Sequence, residues 1–402
     1  MSQQTGPLAG IRVVELGNFI AAPTAGRLLA DFGADVVKVE RPGTGDELRR
    51  WRLYDGDTSL LFRTLGRNKR SMTVDLRHPE GQELVRALAA RSDVLLENFR
   101  PGTLERWGLG PGALRALNPR LVVVRVSGYG QTGPYRDRPG FGGVAEAIGG
   151  LRALTGYADR PPTRVGVSLA DSVAGLYAVI GALMGLLRRD REPGATPGEV
   201  VDVALYEAVY SLMESLLPDF EAFGVVRGPA GSTLPGVAPS NTYRCADGKY
   251  IVVSGNGDAI FRRLMHAIGR DDLAGDPRLA DNAGRVEHAG LLDDAIGAWT
   301  ATLTQEAAEA GLRAASVPCG PILTAADIAK DPHFEARGMH ERHRVRGHDG
   351  EVTFPGIVPT LTERPGRTRS LGPELGEHTE AVLAELGVTG EAVTRLRETG
   401  VI

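Results

Sequence analysis

From the start of the chain to Ser127, short apolar runs alternate with stretches of helical periodicity, a rhythm that a parallel sheet covered by helices satisfies and few other folds do. Ile11–Leu16 reads as a strand, Pro23–Phe32 as a helix, and Ala34–Glu40 as a second strand ending in Arg41-Pro42-Gly43. The unit recurs with a strand at Ser71–Leu76, a helix over Pro79–Arg91 and a strand at Val94–Asn98. After the turn Arg100-Pro101-Gly102 comes a strand at Leu121–Ser127. Parallel neighbours require crossover connections, so the expected class is α/β, with a Rossmann-like large domain.

Beyond Ser127 the pattern changes. Residues 171–187 are nearly all apolar or small, with Ala174, Gly175, Ala178, Gly181, Ala182 and Gly185 spaced for close packing of one helix on another, which predicts a buried central helix. Asp202–Leu217 carries Tyr206, Glu207, Tyr210 and Glu214 at helical spacing and reads as a second long helix. Gly224–Gly236 is rich in Gly and Pro and marks a domain boundary. Tyr243–Ser254, turning at Asp247-Gly248, reads as a hairpin that opens a smaller inserted α+β domain. At 402 residues the chain exceeds what one core usually serves. The expected division is 1–225 for the first part of the large domain, 226–331 for the small one and 332–402 for the return to the large one, with a final helix near Thr379–Leu386.

Composition removes several classes of function. Hydrophobic residues at 42% and charged residues at 24% fit an ordinary globular enzyme or binding protein rather than a disordered chain. A net charge of −4 with dispersed Lys and Arg argues against a nucleic-acid partner. Cys245 and Cys319 stand far apart, without the spacing of a disulfide framework or a zinc site. His340-Glu341-Arg342-His343 is not H-E-x-x-H, so no metal is expected. MSQQTGPLAG has neither a basic nor a long apolar region, and no unbroken apolar run reaches the roughly 18 residues of a membrane span. The expectation is a cytoplasmic protein without a membrane partner.

Chemistry concentrates in Gly166-Val167-Ser168-Leu169-Ala170-Asp171-Ser172-Val173-Ala174-Gly175, where one carboxylate sits at a helix start in a small, uncharged run. Two readings compete. Ser168 and Asp171 match a capping box, in which Asp171 satisfies orphan amides of the first turn. Alternatively, the helix N-terminus lowers the pKa of Asp171 and keeps it anionic as a nucleophile toward a carbonyl.

Several ordered motifs accompany it: Ala21-Ala22-Pro23, the run Leu29–Glu40, Asn68-Lys69-Arg70-Ser71, Glu97-Asn98-Phe99-Arg100-Pro101-Gly102 and Ser127-Gly128-Tyr129-Gly130. With them the chain resembles, over nearly its whole length, the class III coenzyme A transferases, the family of formyl-CoA transferase and the carnitine CoA-transferases. The resemblance implies an interlocked homodimer and a catalytic Asp171 that forms a mixed anhydride and then an aspartyl-CoA thioester. It calls on no cofactor beyond the CoA thioester, and its substrates are an acyl-CoA and a free carboxylic acid. The CoA phosphates call for cations, for which Arg41, Lys69, Arg70 and Arg106 are the candidates, and the resemblance places Arg41 and Arg106 at CoA-binding positions. It wraps Phe19, Ile20 and Ala21 around pantetheine, and lines the same cleft with Asn98 and Phe99. It makes Gly255, Asn256 and Gly257, in Ser254–Asp258, part of a flexible loop over the intermediates; the plain alternative is a strand-to-helix turn with Asp258 as N-cap. Trp51 and Trp107 fall near these segments.

Phe141 stands thirty residues before Asp171, where the related 2-methylacyl-CoA racemases place a His, so two-base racemisation lacks a partner. Gly142 and Glu146 differ from the residues usual in transferases of oxalyl substrates. Arg164, just upstream of the nucleophile, reads either as a clamp for the distal carboxylate of a diacid such as the succinyl group or as an outward-facing loop Arg. The expected function is therefore reversible CoA transfer to a carboxylic acid. An acyl-CoA racemase or isomerase, and a non-enzymatic acyl-CoA-binding protein with Asp171 as a cap, remain the alternatives.

Overall fold

Six parallel strands form the central sheet in the computed structural model, which describes residues 6–55, 58–192 and 197–402. They are β1 (Arg12–Glu15), β2 (Asp35–Glu40), β3 (Lys69–Thr73), β4 (Val94–Glu97), β5 (Val122–Ser127) and β6 (Val200–Ala204). Their spatial order is β3-β2-β1-β4-β5-β6, with Val13 opposite both Val36 and Val94. This is the doubly wound order, in which the winding reverses between β1 and β4. The inner strands are near-continuous Val and Leu because helices cover both faces of such a sheet.

Helices α1 (Ala21–Asp31), α2 (Pro79–Ala90), α3 (Gly142–Ile148), α4 (Leu169–Arg191) and α5 (Leu205–Tyr210) belong to this unit. The long helix expected over Asp202–Leu217 is instead β6 followed by α5. Val200, Val201 and Val203 pair in register with β5, and that pairing outweighs the helical periodicity downstream. Helix α4 crosses α1 closely: a Cβ on Gly175 would lie 2.8 Å from the Ala21 carbonyl oxygen and from the Thr24 Cβ. Among the described residues α4 is also the one helix long and apolar enough to cross a membrane by length and composition, with a mean hydropathy of 1.7. No unbroken apolar run reveals it because Asp171, Ser172 and the glycines interrupt the sequence. Its small-residue face, Ala174, Ala178 and Ala182, is buried in the fold, while Leu176, Ile180, Met184 and Leu187 on other faces are exposed.

The chain divides into two units, one of residues 1–151, 164–222 and 337–402, the other of 152–163 and 223–336. Residues 152–163 thus leave the large unit to which the 1–225 expectation assigns them. Their backbone is tied to the Gly-rich segment, Gly231 N–H donating to the Gly156 carbonyl at 2.8 Å. The second unit has an antiparallel sheet of β7 (Ser240–Arg244), β8 (Tyr250–Ser254) and β9 (Cys319–Pro321), with helix α6 (Asp258–Ala267) following β8. Tyr243, Ile251, Val253, Phe261, Leu264 and Ile296 share its core.

After Arg337 the chain returns to the large unit as the hairpin β10 (His340–Arg344) and β11 (Glu351–Pro355), then α7 (Thr379–Glu385) and α8 (Glu391–Glu398). The returning segment closes the β3 side: Asn68 N–H donates to the Ser370 carbonyl at 3.0 Å and Asp75 N–H to that of Val401 at 2.8 Å. Arg63 and Arg49 donate to the carbonyls of Gly372 and Pro373.

Candidate active site

The loops after β1 and β4 meet where the winding reverses, the place where such sheets bind ligands. Asn18 N–H donates to Asn98 Oδ1 at 2.9 Å, and Asn98 Nδ2 donates back to the Asn18 carbonyl at 2.7 Å. Phe19 has the left-handed φ of 62°, a costly conformation held in part by its N–H donating to Asp46 Oδ1 at 3.0 Å. The ring it presents joins Trp51 and Phe141 in an aromatic cluster with centroids 5.2, 5.6 and 6.2 Å apart. These three rings, with Ile20, Ala21, Asn98, Arg52, Arg164 and Asp171, line a cavity of about 510 Å3. Ile20 is the buried N-cap of α1 and adds apolar wall.

Asp171 lies in the first turn of α4, and the capping box is absent. Ser168 is the N-cap, but its hydroxyl caps no amide; its carbonyl accepts the Ser172 hydroxyl at 2.8 Å. The carboxylate rests instead against α3, so close to Gly142 that a Cβ there would fall 2.0 Å from Asp171 Oδ2. Burial, then the charge of Glu146, pushes the pKa of Asp171 up to about 6, against the opposing pull of Arg164 and of its own N–H. The lowering expected from the helix N-terminus is therefore overridden by desolvation. Glu146 is fully buried on α3, with its Oε2 3.8 Å from Arg164 Nε.

On the Asn18 side of the Asn18–Asn98 bridge lies a second cleft, of about 160 Å3. Phe99 and Trp107 stack edge to face at 5.3 Å on its wall, and Arg41 and Arg77 are its exposed cations. An aromatic slot flanked by guanidinium groups suits a phosphorylated nucleotide. Arg106 is exposed immediately before Trp107 and donates to Thr103 Oγ1 at 3.0 Å. Lys69 and Arg70 do not join this cleft. Lys69 is buried with its ammonium 2.7 Å from Glu15 Oε2 and donating to the Pro23 carbonyl, and burial lowers its pKa to about 8. Arg70 spans Asp35 and Glu385 at 2.7 and 2.6 Å. Both are committed to holding β3, because a buried or doubly paired cation has no free donor face for a phosphate.

In the second unit, Ser254–Asp258 is the turn from β8 into α6. Its N-cap is Gly257 rather than Asp258. Gly255 N–H is taken by the Pro239 carbonyl at 2.9 Å. The fully buried Arg285 holds the Asn256 carbonyl and Asp258 Oδ1, each at 2.7 Å.

Arg52 and Arg77 escaped the sequence reading because nothing local distinguishes a cavity-lining Arg from a surface one. The burial of Glu146 and the seat of Asp171 on Gly142 depend on how α3 packs against α4, which no spacing reveals.

The model of the family described as CoA-transferase family III matches residues 8–379. The chain is 48% identical to the succinyl-CoA–D-citramalate CoA-transferase of Chloroflexus aurantiacus, covering 98% of each chain. It is 35% identical to the succinate–glutarate CoA-transferase of Agrobacterium fabrum, over 96% of this chain and 97% of that one. Among solved structures, a CAIB/BAIF family protein from Brucella suis superposes with a TM-score of 0.83 at 36% identity, covering 95% of this chain and all of the other. With a cavity that joins a buried carboxylate to an aromatic wall, and with these matches along nearly its whole length, the chain belongs to CoA-transferase family III and is a class III CoA-transferase.

Proposed function

We propose that the enzyme moves CoA from succinyl-CoA, or a similar diacid thioester, to a free carboxylic acid through two covalent forms of Asp171. The observation that carries this reading is a raised, accessible carboxylate in a cavity whose lining, among the described residues, holds no His, Lys, Tyr or Cys to move a proton. Such a carboxylate serves as a nucleophile. Succinyl-CoA is the named donor of the Chloroflexus relative, which supports the choice of donor.

Asp171 attacks the thioester carbonyl, forming a mixed anhydride and expelling CoA as its thiolate. The thiolate attacks the aspartyl carbonyl of the anhydride, giving an aspartyl-CoA thioester and releasing the donor acid as its carboxylate. The acceptor carboxylate attacks that thioester and expels the thiolate again, leaving an acceptor–aspartyl anhydride. The thiolate then takes the acceptor acyl group and Asp171 regains its carboxylate. No proton changes hands and no group beyond the CoA ester is required. Burial makes the carboxylate a stronger base and nucleophile than a solvated one, and the Phe19, Trp51 and Phe141 rings keep water from the anhydrides. Arg41, Arg77 and Arg106 would meet the phosphates, with Phe99 and Trp107 against adenine. The exposed apolar side chains of α4 support a homodimer.

Phe141 in the slot of the racemase base counts against an isomerase. Incubating the protein in heavy water with succinyl-CoA and a panel of short mono- and dicarboxylates, and weighing every CoA ester, tests the reading. New thioesters are expected; deuterium at an α-carbon without exchange would instead identify an isomerase.

A further inference from the structure

A buried carboxylate that is not part of the cavity lining organises two of the three rings that are. Asp46 is 0% exposed, and its Oδ1 accepts two backbone N–H groups, that of Phe19 at 3.0 Å and that of Leu48 at 2.9 Å. The bond to Leu48 caps the 3-10 turn Glu47–Arg50, which Trp51 closes by donating its N–H to the Leu48 carbonyl at 3.2 Å. Phe19 and Trp51 are thus set from one oxygen, and their rings, 5.2 Å apart, share the cavity lining with Phe141 and Asp171.

The other oxygen, Oδ2, lies 2.8 Å from the Lys38 ammonium, which donates to the Gly17 carbonyl at 2.7 Å and to Glu15 Oε1 at 2.9 Å. The Lys38–Asp46 pair therefore grips the loop after β1 on both sides of Asn18. Burial works to discharge this ammonium, but Asp46, with Glu15 and Glu40, holds its pKa above the usual lysine range, so the pair stays charged. A helix cap needs only the bond to Leu48. The bond to Phe19, 27 residues earlier, is additional, and it acts on a residue whose φ of 62° persists only where its surroundings impose it.

The chemistry gives the rings a task. Each acylated form of Asp171 is open to water as well as to a thiolate or a carboxylate. Water adding to the acyl carbonyl of the anhydride breaks its bond to the Asp171 oxygen, frees the acid as its carboxylate and restores Asp171. Of the two protons released, one goes to the CoA thiolate and one to solvent, and the thioester is lost with nothing transferred. Which route wins depends on whether water reaches that carbonyl.

We propose that Asp46, paired with Lys38, is the positioning residue that decides transfer against hydrolysis, by fixing Phe19 and the turn before Trp51 as the wall beside acylated Asp171. The proposal rests on the transferase reading and adds to it the residue that protects its intermediates.

The test incubates the enzyme with succinyl-CoA and deuterated succinate. Label entering succinyl-CoA counts transfer, and free CoA thiol counts hydrolysis. Both come from the same active molecules, so an unfolded fraction does not alter their ratio. Asp46→Asn keeps the shape but has one acceptor where two are needed, so its amide NH2 must face either the Lys38 ammonium or the two N–H groups. It is expected to lower the ratio of transfer to hydrolysis by roughly 10- to 100-fold, the loss of one charged hydrogen bond. Asp46→Ala, with no acceptor, should lower it at least as far and decides the matter should the Asn variant fold poorly. Phe19→Leu, which removes the ring and leaves the N–H, should lower it likewise. Asp46 variants in which both rates fall in equal proportion would overturn the proposal and leave the transferase intact. No label in wild-type succinyl-CoA would remove the transferase reading and this proposal together.

Discussion

Burial raises the pKa of Asp171 from the usual carboxylate value of 3.8 to about 6, so the folded chain binds this proton more tightly than the unfolded chain does. The sign follows directly: stability falls as pH rises from about 4 to about 6, and above that window the ionised carboxylate opposes folding in full. Asp171→Asn should therefore raise stability at pH 8 by roughly 1–3 kcal/mol, a gain that vanishes toward pH 4, while lowering the transfer rate by at least about 1000-fold. Denaturant midpoints at the two pH values, read beside CoA exchange, check both parts. In the wild type, kcat/KM for the acyl-CoA donor should rise with pH through about 6 and then level, since in the proposed mechanism it is the ionised form that attacks. Gly142 has a separate role. A methyl group there would collide with Asp171 Oδ2, so Gly142→Ala should fold and still lose at least about 100-fold in exchange, measured as the initial rate of new thioester.

At the scale of elements, the strands near Val13, Val36, Val94 and Val123 are legible because each is a compact run of β-branched or apolar residues. Their parallel pairing follows from the helical stretches between them. Strand β6 was not legible: Asp202 breaks its apolar run, and only pairing with β5 shows that Val200, Val201 and Val203 are extended. The site divides in the same way. Asp171, Phe19, Asn98 and Phe141 line one cavity, whereas Lys69 and Arg70, from the motif Asn68-Lys69-Arg70-Ser71, are spent on Glu15, Asp35 and Glu385. A motif records that residues occur together without saying which of them face a ligand and which hold the frame. Arg285 belongs to the frame of the second unit, with bonds to the carbonyls of Ala238, Leu279 and Asn256 besides Asp258. Arg285→Met removes the donor that those oxygens share and should cost about 3 kcal/mol, seen as a lower urea midpoint.

For the molecule as a whole, the exposed Leu176, Ile180, Leu183, Met184 and Leu187 lie along one face of α4, an apolar stripe of the kind that marks an interaction surface. Light scattering should give twice the 42.7 kDa of one chain, and Met184→Glu combined with Leu187→Glu should shift that mass toward the single chain. Chain order has a further consequence. The second unit draws its core from within residues 223–336, while Arg49, Arg63 and Asn68 of the large unit bind carbonyls that lie beyond residue 366. On the ribosome the inserted unit is thus complete while those early side chains still lack these partners. The Asp46–Arg49 segment that supports Phe19 receives its last partner only when Pro373 emerges. Synthesis order alone keeps the surroundings of Asp171 unfinished until most of the polypeptide has been made.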